Sequence, residues 1–199
     1  VAPSYYFGVT LVTQGYYRDL NTLSAIDFSQ PWWYDGFNDT CELYNQLYVC
    51  AGAYDIGNLT NTYCLVFNED LIASYGLDSP YDLYDRNEWT FEKMMEMAAE
   101  VGDVEGGEIV GVALTRKSTD CLFQASGLKF VDKNQEGEYY VSMYSDQAET
   151  LYQRLSAYIG ANNNVYKYGG MPNVEFPEGK TLIAAMTLGN TASLRNSNI

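Results

Sequence analysis

The chain predicts an α/β architecture in which strands alternate with amphipathic helices around a largely parallel sheet. Short, β-rich apolar runs at 63–67, 109–114 and 182–187 have the length and composition of buried strands. Between them lie stripes of helical period: Phe91, Met94, Met95, Ala98 and Val101 at i, i+3, i+4, i+7 and i+10, then Leu151, Tyr152, Leu155, Tyr158 and Ile159 along one side. Capping residues and glycines punctuate the joins.

Taken in order, Asn68 follows the first run as an N-cap, with Glu69 and Asp70 in the first turn where acids meet the positive end of the helix dipole, and Gly76 closes that helix. A second helix begins after Thr90 and stops at Gly102; its methionines read as core fillers. Residues 109–114 form the next strand, and a short helix over 120–126 takes Ser118 or Thr119 as its cap. Residues 130–143 read as two strands joined through the polar turn 132–137, which lacks the spacing of a calcium loop. Asp146 and Glu149 have capping-box spacing and open a helix that Gly160 ends, and 182–187 is the last buried strand.

Composition narrows the function. The 199 residues suffice for one large or two small domains, and 47% are apolar. Eleven Lys and Arg stand against 26 Asp and Glu, a net charge of -15 that repels phosphate backbones and anionic lipid, so nucleic acid is not an expected partner. No run approaches the roughly 20 apolar residues of a spanning helix. Histidine is absent, which removes Ser-His and Cys-His nucleophile systems within this chain. Paired carboxylates would meet by chance among 26 acids, so catalysis is not expected. Cys41, Cys50, Cys64 and Cys121 form no CxxC pair. A hairpin turning at Asn45-Gln46 would bring Cys41 opposite Cys50 at disulfide distance; four reduced thiols are the alternative.

An ordered series runs through the first half of the chain: Ile26-Asp27-Phe28-Ser29-Gln30-Pro31-Trp32-Trp33, Leu47-Tyr48-Val49, Val66-Phe67-Asn68-Glu69-Asp70-Leu71, Leu77-Asp78-Ser79-Pro80-Tyr81 and Trp89-Thr90-Phe91. In that order these segments resemble the middle of the family 1 extracellular solute-binding proteins, which deliver sugars and related solutes to bacterial ABC importers. Phe130-Val131-Asp132-Lys133-Asn134 and Phe176-Pro177-Glu178-Gly179-Lys180 extend the likeness over nearly the whole chain. The resemblance implies a periplasmic-binding-protein-like fold of class II, present as one lobe with a remnant of the other: 1–62 as part of the first lobe and 63–199 as the second. Residues 1–20 then read as a short strand, a loop and a helix before a turn at Gly15, and the chain as a fragment lacking parts of both ends.

The same resemblance implies a non-catalytic protein without cofactor or metal. It would sit outside the cell or in the periplasm, lipid-anchored through a segment not present here, and close two lobes on a small polar solute before presenting it to permease subunits. Aromatic rings suit the apolar faces of a sugar, and the chain has 19 Tyr, 3 Trp and 8 Phe. Position in the family pattern nominates Tyr5 and Tyr6 before the Gly15 turn, Asn61 and Tyr63 at the crossover strand, Ser118, Thr119 and Asp120 after strand 109–114, and Asn190 and Thr191 after strand 182–187. Strand carboxyl ends are where open α/β sheets hold ligands. Trp32 and Trp33 follow Pro31 at a helix start in that pattern and read as packed. The alternative function is a cell-surface interaction module that uses the same fold to bind a protein or polymer and carries an exposed apolar patch.

Overall fold

The structure is a computed structural model that describes residues 8–102, 108–159, 164–168 and 172–196. The chain divides into two units, Val1–Leu59 and Thr60–Ile199.

In the first unit, helix α1 (Gly8–Thr13) ends at Gly15, whose φ of 74° lets the amides of Gly15 and Tyr16 bond back to the carbonyls of Val12 and Leu11. The 3₁₀ turn Leu20–Thr22 is capped by Asp19, whose carboxylate accepts from the amides of Asn21 (3.0 Å) and Leu47 (3.1 Å). No helix starts at Pro31, contrary to the pattern expected of 31–33; helix α2 begins four residues later and spans Asp35–Cys41. Trp33 is instead held in a bridge to Gly52, lies tilted against Phe28 (4.9 Å) and edge-on to Tyr54 (5.8 Å), and donates its indole N–H to the Asp27 carbonyl at 2.8 Å. Trp32 is exposed.

Strands β1 (Glu42–Leu43) and β2 (Gln46–Leu47) pair Glu42 with Leu47 and Leu43 with Gln46. The turn therefore falls on Tyr44-Asn45, at φ 51° and 62°, rather than on Asn45-Gln46. Two positive φ values make this the type I′ geometry that matches strand twist, with Asn tolerating the left-handed region. The register corrects the cysteine pairing: one step further out sets Cys41 against Tyr48, and all four cysteines are free thiols. Among the described residues of this unit, Leu47 and Ala51 are the buried apolar side chains, while Tyr44, Tyr54 and Ile56 are each about two-thirds exposed or more. Helix α3 (Ile56–Thr60) runs across the division.

The second unit is built on a four-stranded sheet ordered β3-β8-β4-β7, from β3 (Tyr63–Phe67), β4 (Val110–Leu114), β7 (Tyr166–Tyr168) and β8 (Thr181–Thr187). Strands β4, β7 and β8 run parallel, and β3 runs antiparallel to β8. Strand β7 carries only three residues and no apolar run, which is why periodicity does not reveal it.

Helix α4 (Glu69–Tyr75) is capped by Asn68, which accepts from the Leu71 amide at 3.0 Å, and closes on Gly76 at φ 68°. Helix α5 (Pro80–Asp85) has Ser79 as its cap and Pro80 at its first position. Helix α6 (Phe91–Gly102) buries Met94, Met95, Ala98 and Val101 as its stripe requires, and also Met97, against Val112, Leu114, Leu182 and Ile183. It lies so close to β4 that Gly111 faces the Ala98 backbone without room for a side chain. Along β8, Ala184 and Met186 point into a second cluster with Ala113 and Phe176, so this strand is buried on both faces.

Helix α7 (Arg116–Ala125) starts four residues earlier than expected, with Thr115 as its cap, so Ser118 is the third helical residue and not the cap. Strands β5 (Val131–Lys133) and β6 (Tyr139–Val141) form the expected hairpin, its turn closed by Asn134, which accepts from the amides of Gly137 and Glu138. Helix α8 (Asp146–Ile159) is capped by Ser145, which accepts from the Ala148 amide at 3.2 Å; this moves the cap one residue ahead of Asp146. Gly160 lies outside the described residues. Phe123, Leu128 and Ala148 join α7 to α8 in a third cluster. Helix α9 (Pro172–Glu175) and the 3₁₀ turn Phe176–Glu178 lead into β8, and α10 (Leu188–Thr191) with the 3₁₀ turn Ala192–Asn196 follows it.

Candidate functional site

Parallel strands deliver their carboxyl ends to one edge of a sheet, and an antiparallel neighbour delivers its amino end there. In the second unit that edge receives the ends of β4 and β8 and the start of β3, with Tyr63 paired to Thr187. Segments 60–63, 115–120 and 187–191 therefore meet at one rim.

The first and last of these are tied directly. Leu188 donates its amide to the Thr62 carbonyl at 2.9 Å. A Cβ at Gly189 would fall 3.0 Å from the Thr60 carbonyl oxygen, so glycine permits the close approach of α10 to this segment. Thr187 caps α10 by accepting from the Asn190 amide at 3.2 Å, and the Thr191 hydroxyl donates to the Leu188 carbonyl at 2.7 Å. Asn61 and Asn190 are exposed at the rim, while Tyr63 and Thr191 are half-buried.

The segment between β4 and α7 is organised by a reciprocal cap. Thr115 Oγ1 accepts from the Ser118 amide at 3.1 Å, and Ser118 Oγ accepts from the Thr115 amide at 2.7 Å while donating to its carbonyl at 3.0 Å. Ser118 is buried, and its hydroxyl is engaged in holding the helix start. Thr119, half-buried, donates to the same carbonyl at 3.2 Å and keeps lone pairs for another donor. Asp120 is exposed beside it. The amino end of α7, ten residues long, adds partial positive charge at this point of the rim. Burial, and secondarily the Asp120 carboxylate, push the neighbouring Cys121 thiol above its ordinary pKa, which keeps it protonated and unreactive.

Thr119 and Asp120 also open onto a groove of about 500 Å³ between α7 and α8. Phe123, Phe130, Tyr152 and Ser156 complete its walls, over a floor at Leu155. Phe123 is stacked between Phe130 (4.4 Å, 15°) and Tyr152 (5.7 Å, 21°). Sequence reasoning placed Tyr152 on a helix stripe and Phe130 at a strand start, but not together; the signal was the Asp120-Phe123 spacing of three, which sets both on one face of α7. Tyr5 and Tyr6 lie outside the described residues.

Among the described residues no group of three acidic or cysteine side chains is arranged to hold a metal ion. Among them, no helix is long and apolar enough to cross a membrane.

No protein-family model matches this chain, and no curated protein does. Among solved structures, the ABC substrate-binding protein Lmo0181 from Listeria monocytogenes in complex with cycloalternan is similar, with a TM-score of 0.64 at 13% identity, over 94% of this chain and 47% of that one. The chain thus shares the fold of that structure, mixed α/β and periplasmic-binding-protein-like. The chain spans about half the length of that protein.

Proposed function

We propose that the chain is part of a family 1 extracellular solute-binding protein of an ABC importer, binding a carbohydrate or related small polar solute and passing it to permease subunits. In this reading 63–199 is the second lobe, 1–62 a remnant of the first, and the whole protein is extracellular or periplasmic, held at the membrane by a lipid anchor. The observation that carries it is the convergence of 60–63, 115–120 and 187–191 on one rim of a sheet whose fold is that of a substrate-binding protein.

Asn61, Tyr63, Thr119, Asp120, Asn190 and Thr191 are the proposed solute contacts, with Ser118 setting the helix start that presents two of them. Tyr5 and Tyr6 are proposed from the sequence resemblance alone. Such groups offer hydrogen-bond donors and acceptors and a ring face, the chemistry of binding. Hydrolysis of a glycoside would need two carboxylates roughly 5 to 9.5 Å apart, and Asp120 is the one carboxylate among the described residues lining the groove. Calorimetric titration of the protein against a glycan panel that includes cycloalternan tests this. Saccharide-dependent heat and a rise in melting temperature are expected; their absence across the panel overturns it.

One observation favours the second reading, an interaction module. Val131 and Val141 face each other across the β5–β6 hairpin and are both about half exposed, with Tyr140 and Tyr144 also exposed nearby. Concentration-dependent association abolished by Val131→Lys with Val141→Lys would support that reading over solute delivery.

A further inference from the structure

We propose that the groove between α7 and α8 is a second saccharide subsite continuous with the rim, so that the solute is an oligosaccharide spanning both. This rests on the solute-binding reading above. Thr119 and Asp120 belong to both places: they follow the β4 end that builds the rim, and they form one wall of the groove. A molecule held at the rim by these two groups and longer than one ring extends into the groove.

The groove has the character of a sugar site. Its volume, about 500 Å³, lies inside the roughly 300–1,000 Å³ of small-molecule sites. Phe123 is buried at 3% exposure and clamps the outer rings of Phe130 and Tyr152, which remain 38% and 39% exposed. Rings fixed by stacking lose little freedom when a ligand arrives, so the faces they present are preorganised. The apolar C–H face of a pyranose fits against such a ring. Its hydroxyls meet acceptors at the edges: the Asp120 carboxylate, Thr119, and Ser156, whose own hydroxyl proton is given to the Gln153 carbonyl at 2.9 Å. Charge restricts the ligand further. Asp120 within a chain of net charge -15 disfavours anionic saccharides, so neutral chains are the series to test.

Titration of the 199-residue chain with two neutral series, glucose to maltohexaose and glucose to cellohexaose, with cycloalternan alongside, tests the subsite. Affinity is expected to rise about tenfold or more with chain length in the series that binds, as a second ring contact is added. Phe130→Ala and Tyr152→Ala should each cost about two- to tenfold for the longest ligand and less for the shortest, and Tyr152→Phe, which keeps the ring, should retain long-ligand affinity. Ring-proton NMR shifts of Phe130 and Tyr152 in the unmutated protein, moving with long but not short saccharides, give the same answer without substitution. Length-independent affinity with unmoved rings overturns the subsite and leaves the solute-binding reading intact. Binding of no saccharide overturns both.

Discussion

Replacing Gly111 by alanine drives a carbon atom into the backbone of α6. The new Cβ falls 2.2 Å from the Ala98 carbonyl oxygen and 2.7 Å from both its carbonyl carbon and its Cα, where carbon contacts ordinarily settle at about 3.5–4.0 Å. The obstacle is helix backbone, which no rotamer change can move aside, so α6 must lift by about 1 Å. That lift separates Met94, Met95 and Ala98 from Val112 and Leu114, trading a clash for voids. Overpacking costs about 1–3 kcal/mol, and a backbone obstacle places this case at the upper end. With a urea dependence of about 2 kcal/mol per molar, a loss of about 3 kcal/mol lowers the midpoint by roughly 1.5 M. Equilibrium unfolding followed by far-UV circular dichroism reads this directly. Gly36→Ala is the control: it lies in α2 with no atom within 4 Å of the added carbon, and its effect should stay within about 1 kcal/mol, on the stabilising side. A Gly111→Ala midpoint indistinguishable from the unmutated chain would refute the claimed contact between β4 and α6.

Thr115→Ala removes one half of the reciprocal cap at α7 and should destabilise the second unit by about 1 kcal/mol in the same assay; no change would mean that the cap contributes nothing. Gly189→Val should push α10 away from the Thr60 carbonyl and weaken solute binding far more than it lowers the melting temperature, a split that equal losses would contradict. Thiol titration in denaturant should find four free cysteines, and native alkylation at pH 8 should be slow because burial raises the pKa of each; a count of two would mean one disulfide and contradict the free thiols. Asp27 accepts from the Ser29 hydroxyl, the Gln30 side chain and the Ser29 amide, in that order of effect, which holds its carboxyl below the usual 3.8. A depressed folded pKa stabilises the turn above the unfolded value and loses that contribution as pH falls through the folded one. An NMR titration midpoint at or above 3.8 would contradict these bonds.

The strands and helices of the second unit were legible wherever burial imposed a period. Runs 63–67 and 182–187 and the stripe from Phe91 to Val101 became β3, β8 and α6 nearly residue for residue. Helix starts were less so: the expected cap of α7 was Ser118 or Thr119, and the helix begins instead after Thr115 because β4 ends there and leaves its hydroxyl facing the Ser118 amide. In the first unit the pattern failed more often. Few of the described side chains there are buried, so turn chemistry at Tyr44-Asn45 overrode the hairpin register that cysteine spacing invited.

For the site, strand order was the missing quantity. The sequence by itself determined which segments end strands and begin helices, because local hydrogen bonding and hydrophobic period are written within a few residues. Only the tertiary structure decided that β8 lies between β3 and β4, which puts the turns at 62, 115 and 188 on one edge. The same holds for Phe123 and Tyr152, whose stacking joins two helices far apart in the chain. Such contacts arise from how separate apolar faces pack, and no window of sequence contains both partners.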